Sequence, residues 1–204
     1  MTENALAADL PATISKAEIN EIPLVRFTER VHLVTTSAAV QLAVRKLSQE
    51  EVLGFDTESR PAFKKGQSFP VSLLQLAGSE GTYLFQLNRI GSLAPLLPLL
   101  ENPHVLKAGV ALHDDVRRLR ELTPFEAGGF VEVSDLTREL GIENTGLRPL
   151  AALLLGFRIS KNAQLTNWAK SRLNRKQVIY AATDAWVSRE LYQAVMKLRN
   201  KPLR

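Results

Sequence analysis

Apolar and polar positions along the chain switch between a period of two and a period near 3.6, and the switches outline the elements. VHLVTT, from Val31, reads as a strand. Ser37 is the expected N-cap of a helix carrying Val40, Ala43, Val44 and Leu47 at helical spacing. EVLGFDTE predicts a second strand, followed by a Pro/Lys/Gly loop, RPAFKKGQSFP. VSLLQLA and TYLFQL are two more strands with a Gly-containing turn between them, the pattern of a hairpin. A leucine-rich helical stretch, SLAPLLPLLEN, leads into the strand VLKAGV and a helix expected from Asp114 to Leu122. After FVEVSDL the pattern is helical to the end, punctuated at Gly141, Gly156 and Asn174.

Residues 1–24 carry little periodic pattern and are expected to form an arm, draped on the domain or mobile; residues 25–204 form one domain. Strands come first, helices alternate with them and a helical block closes the chain. That order implies an α/β fold with a mixed central sheet, helices on both faces and a helical C-terminal part.

Composition narrows the chemistry. Of 204 residues, 45% are apolar and 23% charged, as in an ordinary soluble protein, and no apolar run approaches the roughly 20 residues of a membrane span. The first residues lack the basic start and apolar stretch of a signal peptide, so a cytoplasmic location is expected. The absence of cysteine excludes disulfides, thiolate zinc, iron–sulfur clusters and a thiol nucleophile. His32, His104 and His113 are scattered, so any metal here is expected to be a hard cation held by oxygen. A formal charge of +5 and a pI near 9.6 suit a polyanionic partner such as nucleic acid.

Three segments place acids in apolar company, where a carboxylate is costly unless a cation neutralises it. In VLGFDTES, strand alternation puts Asp56 and Glu58 on one face and Phe55 and Thr57 on the other. A strand end reaching solvent would also tolerate such a pair. In KAGVALHDDVRRLRE, a strand ends near Val110 and Asp114 and Asp115 open the next helix. One acid can cap it while the other faces the carboxyl edge of the sheet, where open α/β sheets bind ligands. Arg117, Arg118 and Arg120 then form either a solvated face or phosphate contacts. In RKQVIYAATDAWVSRELY, Tyr180, Asp184, Val187 and Leu191 share one helix face, and an aspartate on an apolar stripe breaks binary patterning. A pair of divalent ions would account for all these acids and implies phosphodiester chemistry.

Taken together, F-D-T-E, an Asp opening a helix after KAGV, and Y-x-x-x-D resemble the tyrosine type of DEDD 3′–5′ exonucleases. That family includes ribonuclease D and the exonuclease domain of the Werner-syndrome helicase. The resemblance runs from about Val31 to Tyr192 and includes GFDTESRPAFKKGQ, VSLLQLA, KAGVALHDD and LLLGFRISKNAQLTNWAKSRLNRKQVIYAATDAW, the first and third closer to the Werner-type branch. It implies a ribonuclease-H-like fold and stepwise release of 5′-mononucleotides from DNA or RNA 3′ ends with two Mg²⁺ or Mn²⁺ ions, DNA being favoured. It also implies roles: Asp56 bridging both metals, Glu58 on one metal and the attacking water, Asp115 rather than Asp114 on the second metal, Asp184 on the first, and Tyr180 orienting the water. Ile179 occupies the position of the base in the histidine type. Thr166 stands where Ser is usual, and SRLNRKQ lacks a common Arg-Pro. Arg60, Lys64, Lys65, Lys161, Lys170, Arg172, Arg175 and Lys176 are candidates for the strand path, with Phe63, Phe69 and Trp168 as candidate stacking surfaces, Trp168 being equally a candidate core residue. The alternatives are a ribonuclease-D-like exoribonuclease or short-oligonucleotide nuclease, and a non-catalytic nucleic-acid-binding module, against which the full set of acids argues.

Overall fold

The structure, a computed structural model, describes residues 10–200. Its strands are β1 (Val31–Val34), β2 (Val52–Ser59), β3 (Val71–Gly78), β4 (Gly81–Gln86), β5 (Leu106–Gly109) and β6 (Phe130–Glu132). They form one sheet in the order β1-β4-β3-β2-β5-β6. β3 runs antiparallel to both its neighbours, whereas β1 pairs parallel with β4, and β5 lies parallel between β2 and β6. The predicted hairpin is β3–β4, closing at Gly78 opposite Gly81. β2, which carries Asp56 and Glu58, is therefore central and covered on both faces.

Helices α1 (Lys16–Glu21), α2 (Ser37–Leu47), α3 (Leu87–Ile90), α4 (Leu97–Leu100), α5 (Leu112–Leu122), α6 (Val133–Glu139), α7 (Leu147–Leu155) and α8 (Arg175–Arg199) complete the described chain. On one face of the sheet Val40 and Leu47 of α2, Leu99 of α4 and Leu112, Val116 and Leu119 of α5 pack against Leu53, Phe55, Leu76 and Phe85. On the other face Leu150 of α7 and Val187 and Leu191 of α8 pack with Ala108 and Val133. Leu73, Leu84, Trp168 and Ala181 form a third cluster. Burial of these side chains, at about 1.5–3 kcal/mol each for the larger ones, holds the layers together. No described helix is long and apolar enough to cross a membrane.

Several boundaries differ from the sequence reading. α2 is capped by Thr36, whose hydroxyl accepts from Ala39 N–H, and Ser37 is already helical. The leucine-rich stretch is broken by its prolines into a 3₁₀ turn, Ala94–Leu96, and the single turn of α4. Between Gly156 and Asn174 the chain is irregular, because Ser160 and Asn167 side chains bond nearby backbone amides and Trp168 is drawn into the core. Within residues 10–24 a helix does form. Ser15 and Glu18 make a reciprocal capping box, and Ile19 is buried. The rest of the expected arm, residues 1–9, lies outside the described residues.

Lys107 of KAGV is fully buried. Its ammonium group donates to the carbonyls of Leu99, Asn102 and Val105 at 3.1, 2.7 and 2.7 Å, closing the end of α4. Burial lowers its pKa to about 8.

Candidate active site

The site begins with a glycine. A Cβ at Gly54 would overlap the carbonyl oxygen of Ala185, so only glycine lets α8 cross β2 at backbone contact. That crossing sets Asp184 over the strand face bearing Asp56 and Glu58. Carboxylate oxygens of the three residues lie within 4.8 Å of one another. The alternation expected on β2 holds: Gly54, Asp56 and Glu58 face α8, while Phe55 lies in the core on the α5 side. The start of α8 is fixed by a second capping box, Asn174 with Gln177. The buried Gln177 amide also donates to the Thr166 hydroxyl at 3.0 Å and to Asn167 O at 3.2 Å. Thr166 thus supplies the hydroxyl that anchors the helix, and its replacement of Ser leaves that oxygen in place.

Asp115 is held on the opposite side of β2, where it accepts a hydrogen bond from the Thr57 hydroxyl at 2.5 Å. α5 begins two residues earlier than expected. Ala111 adopts a left-handed conformation (φ 64°), and Glu132, from the end of β6, accepts from the amides of Ala111 and Leu112 at 3.1 and 2.8 Å. This distant side chain caps the helix, so neither Asp114 nor Asp115 has to. Asp114 is solvent-exposed and paired with Arg117 at 2.9 Å, which leaves Asp115 as the inward-facing acid. Asp115 is not part of the tight three-carboxylate group, although its charge is felt at both Asp56 and Glu58.

All four acids hold protons more tightly than usual. Burial, then Asp184, Asp115 and Glu58, raise the pKa of Asp56 well above the ordinary range. Burial and then Asp184 and Asp115 push Glu58 to about 9, with Arg118 opposing. Burial raises Asp184 to about 7 against the Tyr180 hydroxyl, and Asp115 to about 6 against Thr57 and Arg118. Tyr180 is raised too, first by burial and then by Asp184, Glu58 and Asp56. Among the described residues no Lys, Arg or His forms an ion pair with Asp56, Glu58, Asp115 or Asp184. An all-oxygen set of buried and half-buried, unneutralised carboxylates is the donor chemistry of a hard divalent cation, so the residues fit one.

Asp56, Glu58, Tyr180 and Asp184 line a cavity of about 470 Å³ together with Lys161 and Arg148. A neighbouring cleft of about 390 Å³ holds Glu58, Arg60, Phe69, Arg118 and Leu165. The Arg60 guanidinium lies over the Phe69 ring at 4.6 Å, and Arg118 donates to Phe69 O at 2.6 Å. Phe63, 78% exposed, and Leu165, 71% exposed, are apolar side chains left in solvent. Lys64, Lys65 and Arg172 are exposed and line neither space, while Lys176 lines a third cavity behind Tyr180. Of the two readings of Trp168 the stacking one is corrected and the core one holds: it is fully buried, packs on Leu73 and Leu84, and stands 5.9 Å from the Tyr180 ring, so it supports that ring and offers no face to a base. Arg148 was missed. Its signal was a lone arginine in the otherwise apolar helix LRPLAALLL.

A family model described as 3′–5′ exonuclease matches residues 31–199. The chain belongs to this family. Bifunctional 3′–5′ exonuclease/ATP-dependent helicase WRN of Mus musculus is 34% identical over 160 residues, covering 75% of this chain and 11% of that protein. Ribonuclease D of Haemophilus influenzae is 29% identical over 167 residues, covering 81% of this chain and 41% of that protein. The chain thus spans well under half the length of these curated relatives. The crystal structure of the Aedes aegypti Nibbler EXO domain superposes with a TM-score of 0.77 at 25% identity, covering 85% of this chain and 92% of that one. The mixed sheet flanked by helices is the ribonuclease-H-like exonuclease fold.

Proposed function

We propose that this 3′–5′ exonuclease family member hydrolyses phosphodiester bonds stepwise from nucleic-acid 3′ ends, releasing 5′-mononucleotides with two Mg²⁺ or Mn²⁺ ions. The observation that carries this reading is the meeting of Asp56, Glu58 and Asp184 within 4.8 Å, Asp184 buried and the other two half-buried, without a basic partner among the described residues. Asp56, Glu58 and Asp184 would hold one cation, and Asp56 with Asp115 the other. When bound, such ions lower the pKa of an attacking water and stabilise charge on the phosphate and leaving oxygen.

The protein's own groups then have defined work. Glu58 and Tyr180 would hold and orient the attacking water. Tyr180, with its pKa raised, stays protonated across the physiological range, so it orients the water as a hydroxyl and does not act as a base. Arg60, Lys161 and Arg118 surround the cavity and its adjoining cleft, where they can meet phosphates; Phe63 and Leu165 can meet bases. None of these contacts reads a base edge, so cleavage is expected to depend little on sequence. DNA is the favoured substrate, and a ribonuclease-D-like role on RNA is the second reading, supported by the similarity to ribonuclease D.

Matched DNA and RNA oligonucleotides, labelled at either end, test this in Mg²⁺ and in Mn²⁺. A 3′ label should appear at once as mononucleotide, and a 5′ label as a descending ladder. Internal fragments from the 3′-labelled strand, or a ladder from it, would contradict the reading.

A further inference from the structure

We propose that Arg148 is a substrate-phosphate contact of the catalytic cavity, and that Asn20, in the arm, is the residue that positions it. The proposal rests on the nucleic-acid reading of this cavity. Arg148 stands in the first turn of α7 and lines the same space as Asp56, Glu58 and Asp184. It does not neutralise them: among the described residues it forms no ion pair with an acid. Its Nη2 donates to Asn20 Oδ1 at 2.5 Å, and its Nε is buried with no hydrogen-bond partner among the described residues. A guanidinium carries five N–H donors in a planar fork, and a buried donor left unbonded is costly. A phosphate oxygen is the acceptor that such a fork fits, and the rest of the cavity is built for the same phosphodiester.

Asn20 suits the task of holding Arg148. Its amide oxygen fixes one edge of the guanidinium without cancelling the charge, as a carboxylate would. The arm that carries it is stitched to both ends of α7. Ile14 N donates to Asn144 Oδ1 at 2.7 Å and Glu143 N to Ala12 O at 2.8 Å before the helix. After it, Arg158 Nε donates to Ile22 O at 3.0 Å and Val25 N to Arg158 O at 2.9 Å. The arm precedes residue 31, where the family match begins, so the contact belongs to a segment outside the matched region. Through Asn20 the arm thereby bears on the substrate site.

The test is binding of a fluorescein-labelled single-stranded oligonucleotide to the full chain, followed by anisotropy over a salt series, with melting temperatures for every variant. Arg148→Met should weaken binding about tenfold and reduce the slope of log K against log salt by about one. Arg148→Lys should keep the slope while binding less tightly than the native chain. Asn20→Ala, at an exposed position, should weaken binding about threefold with the slope kept, and Arg138→Met, an exposed arginine paired with Asp135, should change neither. Native affinity and slope in Arg148→Met would overturn the contact. If Arg148→Met does not fold, Asn20→Ala decides, and native affinity there overturns the proposal. Weakened binding by Arg148→Met in a chain that cleaves nothing would leave the contact standing and remove the hydrolytic reading instead.

Discussion

Asp184 is 5% exposed, yet it lies beside two other carboxylates and no basic group among the described residues pairs with any of them. Without cations this arrangement opposes folding as the acids ionise. Their folded pKa values lie above the ordinary ones: about 6 for Asp115, about 7 for Asp184 and about 9 for Glu58. A raised carboxylate contributes stability that is fully present below its unfolded pKa and is lost as pH rises through the folded value. In EDTA the melting temperature should therefore fall from about pH 4, where the unfolded carboxylates ionise, up to about pH 9, with Asp115 contributing to about pH 6, Asp184 to about pH 7 and Glu58 to about pH 9. Cation binding needs the same groups deprotonated, so the rise caused by Mn²⁺ should be larger at pH 8 than at pH 6. A metal-free melting temperature that is flat or rising across the window would contradict the electrostatics described above.

At the scale of elements, the contact between β2 and α8 decides whether the acids meet. Gly54→Ala would drive a methyl into the Ala185 carbonyl, backbone against backbone, and neither element can yield without moving the other. The expected cost is about 3 kcal/mol or more. Denaturant unfolding measures it, and the variant that folds should lose most of its Mn²⁺-dependent thermal shift because Asp184 is displaced from Asp56. A loss below about 0.5 kcal/mol, the range of neutral surface changes, would show that the crossing is not so tight. α5 teaches a different lesson about long-range causes. Its first turn is capped by Glu132 from another strand, and this is why its start was placed two residues late from local signals.

Across the whole molecule, what the chain made legible was what local periodicity carries. Five of the six strands, the β3–β4 hairpin, the facing of Asp56 and Glu58, and the shared face of Tyr180 and Asp184 follow from periods of two and 3.6, whereas the three-residue β6 is too short to show a period. The choice of Asp115 over Asp114 agrees with their burial, although only the motif pattern pointed to it. The sheet order and the Asn20–Arg148 bond depend on contacts far apart in sequence and left no local trace. The capping box of α1 is legible as S-x-x-E, in a segment without an apolar stripe beside it. The central claim, that these clustered acids exist to hold catalytic cations, is tested most directly by Asp56→Ala and Asp184→Ala in a single nuclease assay with a Mn²⁺ titration. The account predicts folded proteins with nuclease activity reduced at least about 1,000-fold, and no Mn²⁺-dependent rise in melting temperature. Native activity in either variant would contradict it.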